Sequence, residues 1–149
     1  MMLRWLFASL HLLALPLGLG AVWARQRALR AALDAEGLRR VFLADTLWGV
    51  AALLWIGTGL LRAFGGLEKG ASYYLHDHVF YAKMGLLALI LLLEIWPMST
   101  LIRWRIALGR GASIDTTPAL ALARISQIQA LLVVLMVFAA TALARGLFF

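Results

Sequence analysis

Four runs of about twenty mostly apolar residues divide this chain, and that length and character suit a membrane-crossing helix. The runs are Leu3–Trp23, Val41–Leu61, Val79–Ile102 and Leu120–Ala144. Hydrocarbon offers no hydrogen bonds, so each run must satisfy its backbone internally, as a helix does. Short stretches join them, over residues 24–40, 62–78 and 103–119, so consecutive helices run antiparallel. The expected fold is all-α: one domain, an integral membrane four-helix bundle with up-down connectivity. The hydrophobic share of 64%, against about half in soluble domains, points the same way.

The first run also has the outline of a secretory signal: Arg4, an apolar core, then "VWA" ending at Ala24. Its length and the "RQRALR" that follows, where positive charge hinders export, favour a retained helix. Charge then orients the bundle. Arg25, Arg27, Arg30, Arg39 and Arg40 fall after the first run, and Arg103, Arg105, Arg110 and Arg124 around the third loop. Arg4, Arg62, Lys69 and Arg145 fall on the other side, nine against four. Positive residues collect on the cytoplasmic side, which puts loops 24–40 and 103–119 in the cytoplasm and loop 62–78 and both termini outside. The net charge of +7 therefore reads as contact with anionic lipid headgroups rather than nucleic acid. With no cysteine in the chain, disulfides, thiolate metal sites, iron–sulfur clusters and cysteine nucleophiles are excluded.

Ionisable residues inside a membrane are costly and face the bundle interior or a partner. Five stand out: His11, Asp45, Lys83, Glu94 and Arg124. At 1.5 Å of rise per residue, His11 lies roughly 12 Å and Lys83 roughly 6 Å below the outer surface, so the two can approach each other. Asp45, Glu94 and Arg124 lie in the inner half and are expected to form an ion cluster that offsets their burial. Lys83 and Glu94 share one face of the third helix. His11, Ala14, Gly18 and Ala21 share one face of the first, where small residues permit close helix approach or leave room for a flat cofactor. The second helix aligns Asp45, Trp48, Ala52 and Trp55, and the fourth aligns Arg124, Gln127 and Leu131. Plainer readings stand beside these: His11 hydrogen-bonding a neighbouring helix, Lys83 reaching to the headgroups, and the acid–arginine pairs serving packing alone. Trp5, Trp23, Trp96 and Trp104 read as interface anchors. Met84, Met98 and Met136 read as packing residues.

The stretch "YYLHDHVFYAKMG" offers His76 and His78 as metal ligands with Asp77. A tight site needs three or four ligands in set geometry, and helical residues two apart diverge by about 200°. The stretch reads better as a capped helix entrance, with Asp77 as N-cap and Tyr73, Tyr74 and Tyr81 in the interfacial belt. There is no P-loop, G-x-S-x-G, H-E-x-x-H or Rossmann fingerprint.

The segment "RVFLADTLWGVAALLWIGTGLLRAFGGLEKGASYYLHDHVFYAKMGLLALILLLEIWP", followed by "TLIRWRIAL", resembles the bacterial inner-membrane family catalogued as domain of unknown function 2214. The resemblance covers nearly the whole chain and implies a four-helix inner-membrane protein. A more distant resemblance is to HemJ-type protoporphyrinogen oxidases and their copper-resistance-D-like relatives. It assigns His11 to haem b ligation, Lys83 to activity and Arg27 to cofactor binding. Where those proteins carry a Tyr-Leu-Pro-Arg signature, this chain reads "LGAVWARQR".

Three functions follow as expectations. One is a haem-b-binding redox protein, with His11 as axial ligand and Lys83 beside the cofactor. The second is a non-enzymatic accessory or scaffold subunit, assembled with copies of itself or with a membrane complex. The third is a small metal or proton pathway through His76, His78, His11, Lys83 and Glu94.

Overall fold

The computed structural model describes residues 1–66, 76 and 78–146. Among these, four helices follow in order: α1 (Met2–Arg30), α2 (Ala35–Phe64), α3 (His78–Gly109) and α4 (Ala119–Arg145). Each is long and apolar enough to cross a membrane. The bundle is the all-α, up-down architecture expected from the four apolar runs.

The helices overrun those runs, and this changes the loops. α1 continues two turns past Trp23, because a buried stripe of Ala14, Gly18, Ala21, Val22, Arg25, Gln26 and Leu29 keeps helical spacing through the arginines. Arg27 and Arg30 occupy its last turn, where cations complement the helix dipole. Only residues 31–34 connect it to α2. Asp34 caps α2, its carboxylate accepting from Gly37 N at 2.8 Å. Glycine is required at position 37, since a Cβ there would lie 1.9 Å from the carbonyl oxygen of Ala32. At the start of α4, Asp115 accepts from Thr117 N at 3.0 Å, and Pro118 takes the N-cap position.

α1 packs against α2 and α4, and α4 against α3. Across the remaining side, Arg105 of α3 donates to the carbonyl of Phe42 on α2 at 2.9 Å, and Phe64 meets Phe80 edge-on with centroids 6.4 Å apart. Leu29, Leu38, Val41, Leu101, Trp104 and Leu122 fill the core near the short loops. A second apolar layer of Val22, Trp48, Ile90, Ala130, Val133 and Met136 fills the middle. Large apolar residues such as Leu53 and Phe138 point outward, as a bundle solvated by lipid requires. Trp5, Trp23 and Trp96 are exposed. Trp104 corrects the expectation of an anchor: it is buried, because α3 turns its ring onto the core beside Leu101 rather than to the interface.

Candidate functional site

Polar side chains gather inside the bundle at two levels. The first lies toward the 31–34 and 110–118 loops and centres on Arg25, a residue expected in a loop and found wholly buried. Its guanidinium has five N–H groups, and each finds an acceptor. Nε donates to Ser126 Oγ at 3.0 Å. One terminal nitrogen donates to Asp45 Oδ1 and Glu94 Oε1, both at 2.8 Å. The other donates to Glu94 Oε2 at 2.9 Å and Gln129 Oε1 at 2.8 Å.

The acceptors are held in turn. Glu94 Oε2 also accepts from Trp48 Nε1 at 3.1 Å and Gln129 Nε2 at 2.8 Å. The second oxygen of Asp45 lies 3.2 Å from the Arg105 guanidinium. Ser126 donates back to the Leu122 carbonyl at 3.0 Å. Every helix contributes, and two cations balance two carboxylates. Desolvation opposes burying each charge, and here the opposite charges and complete hydrogen bonding offset it.

Asp45 and Glu94 therefore meet as partners, but their cation is Arg25 and not Arg124. Arg124 is exposed. The buried stripe of α4 is Leu122, Ser126, Gln129 and Val133, and Arg124 projects about 200° away from Leu122 and Ser126. Its long stem lets the charge reach the interface, while serine and glutamine fit the interior. Two signals in the sequence point to Arg25: it extends the stripe of His11, Ala14, Gly18 and Ala21, and two acids on facing helices need a cation between them.

The second level lies toward the chain termini, roughly 21 Å along α1 from Arg25 to His11 at 1.5 Å per residue. A cavity of about 480 Å³ opens there, and all four helices line it. His11 and Lys83 both face it, with Arg62, Trp55, Phe80 and Met84 among its walls. His11 Nδ1 lies 2.9 Å from Thr58 Oγ1, and Thr58 spends its own proton on the Leu54 carbonyl at 2.5 Å. Thr58 can then only accept, so Nδ1 carries the proton and, in the neutral ring, Nε2 keeps its lone pair. The imidazole stacks on Trp55 with centroids 5.8 Å apart and planes 27° apart. Gly59 makes room for it, since a Cβ there would come within 3.1 Å of His11 Cε1. Lys83 is partly buried and has no hydrogen bond or ion pair among the described residues.

Arg27 does not join this cavity. It is exposed, and its Cα lies roughly 24 Å along α1 from that of His11. His78 opens α3 and His76 precedes it; Asp77, Tyr73, Tyr74 and Lys69 lie outside the described residues. Among the described residues no three His, Asp or Glu side chains cluster as metal ligands.

The family model "Predicted membrane protein (DUF2214)" matches residues 3–147. The chain belongs to that family. No curated protein and no solved structure matches it. For this DUF2214 protein, membership carries membrane character over residues 3–147.

Proposed function

We propose that this protein binds a flat, amphiphilic, acid-bearing cofactor in the terminal-side cavity, and that haem b fits the donor set there. The observation that carries the reading is that His11 of α1 and Lys83 of α3 face one largely apolar cavity. His11 is held through Nδ1 by Thr58, with no side-chain partner on Nε2 among the described residues, and Lys83 has no hydrogen bond or ion pair among them. A neutral imidazole whose other nitrogen donates to a fixed acceptor is the usual axial-ligand arrangement. Lys83 would hold a propionate, and Trp55, Phe80 and Met84 would supply the apolar walls. Cavities of about 300–1,000 Å³ with a few convergent polar groups are typical of cofactor sites. When bound, haem would supply one-electron chemistry; Thr58 would fix the His11 tautomer, and Gly59 the position of its ring.

The pathway reading has less support. The apolar side chains of Val22, Ile90, Ala130, Val133 and Met136 lie between the cavity and the Arg25 network, and among the described residues no polar chain links the two. The network itself has no free donor on Arg25, which suits a structural clasp. For orientation we favour the short loops in the cytoplasm of a bacterial inner membrane. With Arg25 withdrawn from the loops the positive count changes from nine to eight, still against four on the other side.

The test is the absorption spectrum of protein purified in mild detergent with haemin supplied, oxidised and then dithionite-reduced. A Soret band that is lost in His11→Ala and weakly retained in Lys83→Met supports the reading. A colourless preparation from well-folded parent protein overturns it and favours an accessory subunit, to be sought by its co-purifying partners.

A further inference from the structure

A second concavity runs along the outside of the bundle between α1 and α2. Its floor is apolar and shallow: Pro16, Leu17, Gly20 and Ala24 from α1, with Leu43 and Leu47 from α2. It is elongated in the direction of an acyl chain, because these residues span about two turns of α1 and one of α2. At its loop-side end stand Arg27 and Arg40. Arg27 is exposed and makes no hydrogen bond or ion pair among the described residues. Arg40 has only a long contact to Glu36, 3.9 Å between exposed side chains. Glu36 is shared with Arg39 at 3.5 Å, so it does not neutralise the pair. Trp23, exposed one turn before Arg27, marks the depth at which headgroups begin.

We propose that this groove is a binding site for one anionic glycerophospholipid, its acyl chain along Leu17, Gly20 and Leu47 and its phosphate between Arg27 and Arg40. Charge complementarity decides the occupant. A second copy of this chain would bring its own arginines to the same place, two guanidinium groups against two. A lipid phosphate brings the opposite charge, and basic pockets between helices at the membrane surface are the usual form of such sites. The open space at Gly20, where a Cβ would meet nothing within 4 Å, is where a bound chain lies closest to the α1 backbone.

The experiment is native mass spectrometry of the full chain released from nanodiscs containing equal phosphatidylglycerol and phosphatidylcholine. The parent should retain one phosphatidylglycerol in preference to phosphatidylcholine. Each arginine facing an anionic headgroup is worth roughly fivefold in affinity, so Arg27→Ala/Arg40→Ala should weaken retention roughly 25-fold. Gly20→Leu keeps both arginines and places a side chain in the groove where a Cβ meets nothing within 4 Å, and it should also lose the adduct. Both variants leave the His11 cavity and the Arg25 network untouched, so thermal unfolding should stay close to the parent. Equal retention of the two lipids, or a phosphatidylglycerol adduct that survives both variants, overturns the proposal. So does a dimer in place of the adduct that Gly20→Leu abolishes, which would give the groove to a second copy.

Discussion

Removing the arginine at the centre of the network is the sharpest test of how this bundle is held together. Arg25→Met keeps the apolar stem and deletes five hydrogen bonds of 2.8–3.0 Å. It leaves Asp45 and Glu94 facing each other, with side chains only 13% and 16% exposed. Breaking a buried ion pair from one side costs roughly 3–5 kcal/mol. The lower part of that range is expected, because Trp48 and Gln129 still donate to Glu94 and Arg105 still faces Asp45. Arg25→Lys keeps the charge but offers three donors for five positions. Two lost charged hydrogen bonds cost roughly 3–6 kcal/mol, so keeping the charge without the fork should not rescue the bundle. Arg25→Met/Asp45→Asn/Glu94→Gln removes the orphaned charges and should recover about half the loss, as replacement of whole buried networks does. The control is Arg124→Ala, exposed and outside the network, which should stay within about 0.5 kcal/mol of the parent. Thermal unfolding in mild detergent, followed by far-UV circular dichroism, reads the series, with Arg25→Met lowering Tm on the order of 10 °C. A shift under about 1 kcal/mol for Arg25→Met, or a triple variant no more stable than the single one, would refute the reasoning.

Two further outcomes follow from close contacts. Gly59→Val should displace the His11 ring, since a Cβ already comes within 3.1 Å of Cε1. It should abolish the haem spectrum while circular dichroism shows an intact helical bundle; an unchanged spectrum would mean that His11 is not the ligand. Gly37→Ala should destabilise the bundle by roughly 1–3 kcal/mol by forcing apart the α1–α2 turn, where the obstruction is backbone that cannot yield. Gly20→Ala, with nothing near its Cβ, should be neutral or slightly stabilising by helix propensity, so equal unfolding midpoints for the two would count against the tight turn.

Helix number and connectivity were legible because hydrocarbon leaves a chain so few choices. Twenty apolar residues in a row have one way to satisfy their backbone, and short joins between such runs force neighbours to alternate in direction. The inward faces of α1 and α2 were legible too, from His11, Ala14, Gly18 and Ala21 on one and Asp45, Trp48 and Trp55 on the other. So was the need for a cation near Asp45 and Glu94, since two buried carboxylates do not stand alone. Which cation answers them was decided only in three dimensions. Hydropathy sums a residue with its neighbours in sequence and assigned Arg25 to a loop and Arg124 to a span. Burial depends on the face of the helix and the reach of the side chain. α1 continues past its apolar run and carries Arg25, two residues beyond Trp23, inward to meet Asp45, Glu94, Ser126 and Gln129, while α4 turns Arg124 outward. The same holds for His11 and Lys83. Their depths followed from position in the chain, but the shared cavity and the threonine that fixes the imidazole tautomer exist only where the helices pack.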